Sequence, residues 1–256
     1  MERLYLSVII PCFNEEARIG PTLERIIGYL SNQPYFSEIR VIDDGSTDGT
    51  SEVCQSFQSR FPRLTIQKIS PNHGKGYAVR VGMMAAEGEY CLFTDADGST
   101  PIEESAKLLK VMEKHQADIV IGSRSIQGAK VTQPQPWYRM MMGKTFNKFV
   151  RIMVLPGFID TQCGFKLFKR KSAQEIFNRQ TLWGFSFDVE ILYIARLLGY
   201  NIVEHPIIWV NSPQSKVDPI RDSLKMLKEL QQIRKNHAEL RRENKSNAGR
   251  DPNRQP

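Results

Sequence analysis

The chain has 256 residues, 41% hydrophobic and 25% charged, which is ordinary for a globular protein able to bury its own core. Four widely spaced cysteines without a CxxC pair exclude a cysteine-based zinc site and a disulfide framework. Residues 1–6 lead into an apolar strand and no run of about 18 apolar residues is present, so we expect neither a secretory leader nor a spanning helix.

The net charge of +7 is distributed unevenly along the chain. Residues 1–129 carry 13 Lys/Arg against 17 Asp/Glu, whereas residues 130–179 carry 10 against 2 and residues 221–256 carry 10 against 5. Clustered positive charge favours an anionic partner such as a membrane surface, a phosphate group or a nucleic acid. The alternative is a face that only keeps the protein in solution.

Strands and helices alternate through the first half of the chain. Apolar runs that predict strands lie at residues 5–11, 39–43, 64–69, 90–95 and 117–124, with helical patterns at 15–31, from Thr47 or Asp48 to about Arg60, at 75–86 and from Pro101 onward. This alternation predicts an α/β fold with a mostly parallel central sheet and helices on both faces. In such a sheet, ligands bind at the carboxyl ends of the strands.

The second half is less regular. We expect a polar loop at 126–136, an amphipathic helix at 137–155, a strand at 164–168, a helix at 187–199, one or two strands within 201–210 and a basic helix at 219–240. Residues 241–256 are polar and basic, which predicts a disordered tail after a single domain of residues 1–240. That domain divides into a nucleotide-sugar-binding half at 1–124 and an acceptor half at 125–240.

Two aspartates follow the strand in CLFTDADGST (residues 91–100). Asp95 and Asp97 would present two carboxylates at a strand end, and hard oxygen ligands of this kind suit Mg²⁺ or Mn²⁺. The alternative is a solvated turn before the Pro101 helix. The spacing excludes a calcium EF-hand loop, which would need glycine in place of Thr100 and glutamate in place of Ala106.

Two further polar clusters follow neighbouring strands. Asp43-Asp44-Gly45-Ser46 could bind a base or a ribose, or could serve only as a turn and helix cap. Asn72-His73-Gly74-Lys75-Gly76 opens a helix, where backbone N–H groups and a lysine would suit a diphosphate. Neither a Walker A loop nor a GxGxxG follows the first strand, which disfavours a P-loop NTPase and a dehydrogenase.

Together these segments resemble family-2 glycosyltransferases, which have a GT-A fold. The matching segments are VIIPCFNEE (8–16), DDGSTDGT (43–50), NHGKGYAVRVG (72–82), DADG (95–98) and GSR (122–124). In the second half DTQCGFKLF (160–168), WGFSFDVEILYIA (183–195) and SPQSKVDPIRDSLKML (212–227) are similar to the dolichyl-phosphate β-glucosyltransferase branch. The resemblance implies inverting transfer of a hexose, glucose from UDP-glucose, onto a polyprenyl phosphate.

The resemblance also implies roles for particular residues, with a DXD motif formed by Asp95, Ala96 and Asp97. Asp95 and Asp97 would bind Mg²⁺ or Mn²⁺, and Asp97, Arg124 and Asp188 would be catalytic. Related mannose synthases carry a longer amide side chain where this chain has Ser99, so the third protein ligand of the metal is open. The nucleotide sugar would contact Pro11, Asn14, Glu15, Asp43, Asp44, Lys75, Asp95 and Ala96, and the acceptor phosphate would contact Arg124, Arg139, Lys166 and Lys216.

Several of these assignments have alternatives. Lys166 could be a strand lysine whose amine reaches solvent, and Asp188 and Glu190 could be acids that face a helix dipole. The segment 137–155 could lie in the membrane interface, with Met142, Phe146, Phe149, Val150 and Met153 on its apolar face and Lys144, Lys148 and Arg151 opposite, or could be an ordinary core-covering helix.

The expected location is peripheral, on the cytoplasmic face of a membrane, because the N-terminal anchor of eukaryotic members is missing from this sequence. Other functions remain open, namely a family-2 enzyme with a hydroxyl acceptor on a saccharide or glycolipid, or a catalytically silent sugar-nucleotide-binding protein. We expect no nucleic-acid binding, because the basic tail lacks interleaved aromatic residues.

Overall fold

A seven-stranded sheet forms the centre of the computed structural model, which describes residues 3–132, 137–210 and 219–248. The strands of this sheet and of a separate two-stranded ribbon, β6 with β9, are β1 Leu6–Cys12, β2 Ser37–Asp43, β3 Leu64–Lys68, β4 Tyr90–Thr94, β5 Ile119–Ser123, β6 Lys130–Thr132, β7 Phe165–Lys169, β8 Ile202–Pro206 and β9 Ile208–Val210. The order in the sheet is β3-β2-β1-β4-β7-β5-β8, and all neighbours are parallel except β7. The predicted mostly parallel sheet is confirmed.

Helices cover both faces of this sheet. They are α1 Glu16–Leu30, α2 Thr50–Ser56, α3 Lys75–Ala85, α4 Glu104–Lys114, α5 Trp137–Met153, α6 Arg170–Asn178, α7 Phe187–Leu197, α8 Pro219–Asn236 and α9 Ala238–Ala248. Alternate residues of β1 point to opposite faces: Ile9 joins the cluster with α3, α6 and α7, while Val8 and Ile10 join the one with α1 and α4. Burial on both faces explains why β1 is apolar nearly throughout.

Strand β7 lies antiparallel between β4 and β5, with Lys166 opposite both Phe93 and Ile121. Because β7 runs in the opposite direction, Cys163 and Gly164, which directly precede it, lie at the edge where the parallel strands β1, β2, β4 and β5 have their carboxyl ends. Segments distant in the sequence therefore meet at one edge of the sheet.

A two-stranded ribbon replaces part of the predicted polar loop at 126–136. Strand β6 pairs in parallel with β9, and the backbone N–H of Val210 donates to the carbonyl of Ser99 at 2.7 Å. This bond attaches the ribbon to the loop that carries Asp97. Residues 133–136 lie outside the described residues.

Helix α5 forms within the predicted segment 137–155, and its described side chains are divided between the core and solvent. Val150 is fully buried in the core with Leu230 and Ile233 of α8, whereas Phe149 and Ile152 are 42% and 72% exposed. Val150 thus faces the core and α8, as the alternative of a core-covering helix predicts, whereas the membrane-interface role of the exposed residues stays a prediction. Among the described residues, none of the helices combines the length and apolarity that crossing a bilayer requires.

The C-terminal segment is more ordered than its composition indicates. The predicted helix at 219–240 is interrupted at His237, which is buried, and α9 follows. The prediction of disorder from residue 241 is wrong for residues 241–248, which are helical. The Asn244 side chain donates to the Leu197 carbonyl at 2.6 Å and Leu240 packs against the core, contacts that composition does not reveal. Residues 249–256 lie outside the described part of the chain.

Candidate active site

Asp95 and Asp97 lie in the loop that leaves β4 at the carboxyl edge of the sheet. The carboxylate of Asp97 accepts the backbone N–H of Ser99 at 2.9 Å, and the carbonyl of Ala96 accepts the Thr22 hydroxyl at 2.8 Å. Burial, and then the neighbouring Asp95 carboxylate, raise the pKa of Asp97 above its ordinary value. The loop therefore holds two carboxylates close together despite their repulsion.

A lysine from a different element pairs with Asp95. Lys75, the first residue of α3, places its ammonium nitrogen 2.6 Å from Oδ1 of Asp95. Burial opposes the charge on Lys75, but Asp95 and then Asp188 stabilise it, and the net effect is a raised pKa. Lys75 thus supplies positive charge beside the acidic pair.

The other side of Asp95 faces the start of β7. A Cβ atom built on Gly164 would lie 2.1 Å from Oδ2 of Asp95, so only glycine leaves room for this carboxylate. Such close approach of backbone to a functional side chain explains a glycine before Phe165 without any turn requirement.

The donor set of Asp95 and Asp97 fits a hard divalent cation. Carboxylate oxygens are the preferred protein ligands of Mg²⁺ and suit Mn²⁺. Within the described ranges, no group of three or more His, Cys, Asp and Glu side chains is arranged to hold a metal ion. A cation bound here would therefore complete its shell with water and ligand oxygens, as Mg²⁺ commonly does.

The carboxylates of Asp43 and Asp44 are buried and hydrogen-bonded within the protein. Asp43 accepts the N–H of Ser46 at 2.8 Å and the hydroxyl of Ser51. Asp44 accepts the N–H groups of His73 at 3.0 Å and Gly74 at 2.7 Å. They shape the two loops beside the site, and their contact with a nucleotide stays a prediction.

Residues 11–15 lie against the loop after β2. Pro11 is buried in β1, and Asn14 adopts a left-handed conformation with φ of 54°. The Asn14 N–H donates to the Ser46 hydroxyl at 2.9 Å, and the Glu15 carboxylate pairs with Arg18 through two bonds of 2.6 Å. Pro11, Asn14 and Glu15, which are predicted to contact the nucleotide sugar, therefore lie beside the loop that begins at Asp43 and Asp44.

The N-terminus of α3 differs from the expected diphosphate site. Three of its N–H groups are already engaged: two donate to Asp44, and the N–H of Gly76 donates to the carbonyl of Trp183 at 2.7 Å. The backbone N–H groups predicted to suit a diphosphate are therefore occupied, those of His73 and Gly74 by Asp44 and that of Gly76 by the loop before α7. The Lys75 side chain is what this helix end offers to a ligand.

Arg124 follows β5 and is positioned by Asp160. Its Nε and Nη2 atoms donate to the two Asp160 carboxylate oxygens at 2.8 and 2.9 Å, and its guanidinium lies 5.6 Å from the ring centroid of Trp209. Burial disfavours the ionised form of the Asp160 carboxyl group, but the Arg124 guanidinium outweighs this effect. The pKa of Asp160 is therefore lowered. The Glu204 carboxylate accepts the N–H groups of Ile159 and Asp160 at 3.0 and 2.8 Å.

Asp160 lies within DTQCGFKLF, and the local sequence predicted no role for it. Asp160 lies in the loop between α5 and β7, where no strand or helix pattern marks it, and its partner Arg124 lies 36 residues earlier. Bidentate pairing of this kind gives a guanidinium one defined orientation.

Lys166 does not have the predicted exposure to an acceptor. Its side chain is fully buried, and its amine donates to the Asp188 carboxylate and, at 2.6 Å, to the carbonyl of Cys163. The prediction that Lys166 contacts an acceptor phosphate is wrong for this structure, because its side chain points into the core beside Phe93. Lys166 instead compensates the buried charge of Asp188.

Asp188 is buried at the start of α7. Burial raises its pKa even though Lys166 and Lys75 act in the opposite direction. Its predicted role as a base or positioning group stays a prediction. The Arg139 side chain and the whole of Lys216 lie outside the described residues, so their acceptor contacts stay predictions as well.

Comparison with known proteins connects this site to a family. The model of glycosyl transferase family 2 matches residues 7–177. The chain is 36% identical over 245 residues to the dolichyl-phosphate β-glucosyltransferase of Dictyostelium discoideum, covering 91% of this chain and 75% of the relative. The human dolichyl-phosphate β-glucosyltransferase is 35% identical over 243 residues, covering 90% and 74%.

Solved structures with low sequence identity share the fold. Mannosyl-3-phosphoglycerate synthase from Rubrobacter xylanophilus gives a TM-score of 0.66 at 18% identity, covering 99% of this chain and 78% of that one. Glucosyl-3-phosphoglycerate synthase from Mycobacterium tuberculosis, in complex with Mn²⁺, UDP and glucosyl-3-phosphoglycerate, gives 0.61 at 16% identity, covering 90% and 78%. The predicted GT-A fold is confirmed, and the chain belongs to glycosyl transferase family 2.

Proposed function

We propose that the protein is an inverting glucosyltransferase that transfers glucose from UDP-glucose to a polyprenyl phosphate of the dolichyl type. The observation that carries this proposal is the placement of two charged groupings at one sheet edge: Lys75 with Asp95 and Asp97, and Arg124 with Asp160. The first suits a nucleoside diphosphate and the second an anionic acceptor. Relatives that match nine-tenths of the chain are dolichyl-phosphate β-glucosyltransferases.

The donor half would bind the diphosphate through charge. A divalent cation, Mg²⁺ or Mn²⁺, held by Asp95 and Asp97 would offset the charge that develops on the leaving diphosphate. The M. tuberculosis neighbour binds Mn²⁺ and UDP together, which supports this assignment. Lys75 would then turn from Asp95 to a phosphate oxygen, since its ammonium already lies beside the pair.

The acceptor half would orient a phosphate without a strong general base, because a phosphate monoester is already ionised near neutral pH. With Nε and Nη2 of Arg124 bonded to Asp160, its Nη1 group, which has no hydrogen bond to the described residues, would be left for the acceptor. Asp188 would act mainly by positioning, since its carboxylate is buried against Lys166. We retain residues 1–124 as the donor half and 125–240 as the acceptor half.

Incubation of the protein with labelled UDP-glucose, Mg²⁺ or Mn²⁺ and polyprenyl phosphate is expected to give an acid-labile prenyl-linked glucose. GDP-mannose and UDP-N-acetylglucosamine in parallel reactions test the choice of donor, and a sugar-alcohol acceptor tests the choice of acceptor. Transfer only to a hydroxyl group would favour the alternative family-2 enzyme. Nucleotide binding without turnover of any donor would favour a silent binding protein.

A lipid acceptor requires access to a membrane, and α5 offers a surface for it. Phe149 and Ile152 are exposed apolar residues. The exposed Lys148 directly precedes Phe149 in the sequence, and the exposed Arg151 directly precedes Ile152. Apolar groups at the interface combined with cations near anionic headgroups favour peripheral binding. We propose that this surface contacts the cytoplasmic face of a membrane.

Replacement of Ile152 by glutamate is expected to reduce binding to vesicles of phosphatidylcholine and phosphatidylglycerol by about tenfold, because it removes an inserted side chain and adds repulsion. Co-sedimentation with vesicles measures the effect. Met84→Glu is the control, because Met84 is an exposed apolar residue on α3. Equal binding of the Ile152 variant and wild type would rule out this surface.

A further inference from the structure

Glu190 of α7 is completely buried, and its carboxylate accepts hydrogen bonds from other parts of the chain. It accepts the N–H groups of Thr181 at 3.1 Å and of Leu182 at 2.8 Å, together with the Thr181 hydroxyl. The Nε2 atom of His237 lies 2.8 Å from its Oε1 atom. A carboxylate with this many donors is a structural anchor and is not available as a base.

Two of the groups in this network come from the junction between α8 and α9. His237 lies at the break between the two helices and is buried, and Asn236 donates to the Thr181 hydroxyl oxygen at 2.6 Å. The Thr181 hydroxyl thus accepts from Asn236 and donates to Glu190. The C-terminal helix junction is therefore bonded directly to the segment at 181–182.

That segment continues into the loop that packs on the donor half of the site. The Trp183 carbonyl accepts the Gly76 N–H at 2.7 Å, and the Gln180 side chain donates to the carbonyls of Gly76 at 2.9 Å and Leu182 at 2.8 Å. A Cβ atom on Gly74 would lie 2.6 Å from the Trp183 carbonyl oxygen. The loop thus fixes the backbone on both sides of Lys75.

The rings around this contact pack as a unit. Tyr77 stacks on His73 and meets the Trp183 ring edge to face, with centroid separations of 4.5 and 5.3 Å. The Arg80 guanidinium lies over the same indole at 5.7 Å. A shift of the 180–184 loop would therefore be transmitted to the first turn of α3.

We propose that Glu190, His237 and Asn236 form a C-terminal clamp that positions Lys75 for the donor diphosphate. Glu190 and His237 are then positioning residues: they act through the 180–184 loop and touch no substrate. The assignment of a diphosphate to Lys75 rests on the proposed function, whereas the clamp on α3 does not. The clamp lies wholly after residue 177, where the family match ends, so it is a feature that this match does not include.

His237→Ala is expected to weaken UDP binding, measured by titration calorimetry with Mn²⁺ present, by about tenfold, or about 1.4 kcal/mol. Hydrogen exchange of the Gly76 amide should become faster, because its acceptor on Trp183 loses support. His237→Gln keeps a side-chain N–H and should restore much of both properties. The matched control is Asn244→Ala, which removes a bond from α9 to Leu197 but none from the clamp.

Four results decide the proposal. Faster Gly76 exchange in His237→Ala but not in Asn244→Ala supports the clamp, and does so even if wild-type protein binds no UDP, in which case only the proposed function fails. Unchanged Gly76 exchange in His237→Ala and Glu190→Gln overturns it. Equal effects of His237→Ala and Asn244→Ala also overturn it, since the role would then be general stability. Unchanged UDP affinity despite faster exchange overturns the link to Lys75.

Discussion

Asp97→Ala is expected to lower glucosyl transfer by about a thousandfold and to abolish metal-dependent UDP binding. The reason is that Asp97 is one of the two carboxylates that would hold the cation at the leaving diphosphate, and without it only Asp95, beside Lys75, would remain. Transfer from UDP-glucose and titration of UDP with and without Mn²⁺ measure the two effects. Normal turnover by this variant in the presence of EDTA would show that no metal acts at this loop.

The same variant should remain folded. Because the pKa of Asp97 is raised by burial and by Asp95, its ionised form opposes folding, and this penalty grows as the pH rises through that pKa. Loss of the charge should therefore leave the unfolding temperature at neutral pH equal to or above that of wild type. Glu103→Ala is the control for activity. Glu103 is an exposed acid that pairs with Arg25 and lies near the same loop in the sequence.

Lys166→Met is expected to lower the free energy of unfolding by about 3–5 kcal/mol. Lys166 is fully buried and Asp188 nearly so, and removal of the ammonium leaves the carboxylate as an uncompensated charge in the core. Denaturant titration at neutral pH measures the change. The loss should become smaller as the pH falls, because protonation of Asp188, whose pKa is already raised, removes the unpaired charge.

The double variant Lys166→Met/Asp188→Asn separates charge from packing. It should recover a large part of the lost stability, because neither residue then carries a buried charge. A Lys166→Met protein as stable as wild type, with a raised KM for the acceptor alone, would restore Lys166 as an acceptor ligand. Lys169→Met, on the same strand, is the control, because its amine pairs with Asp118 at 3.1 Å but both side chains are partly exposed.

Much of the donor half could be predicted from local sequence. The strand runs at 5–11 and 39–43 and the helix at 75–86 agree with β1, β2 and α3 to within two residues at each end. Because the carboxyl ends of parallel strands meet at one sheet edge, the strands predicted at 39–43 and 90–95 also predicted that Asp43 and Asp95 would lie at the same edge. The five ordered motifs were enough to identify the family.

The acceptor half could not be predicted in the same way. The local sequence predicted a ligand contact for Lys166 and no role for Asp160, and it fails at both residues for one reason. Burial and pairing of a charged side chain depend on which distant segments pack on it, and antiparallel β7 inserts between β4 and β5. The register of that strand turns Lys166 toward Asp188 of α7, and its direction brings Cys163 and Gly164 to the site.

By itself, the sequence determined the alternating strands and helices, the family and the acidic loop at 95–97, because each depends on residues close together along the chain. Only the tertiary structure decided which polar groups are paired: Lys75 with Asp95, Arg124 with Asp160, and Glu190 with His237. The partners are 20, 36 and 47 residues apart. Hydrogen bonding and desolvation act between groups that folding brings together, and local pattern carries no record of them.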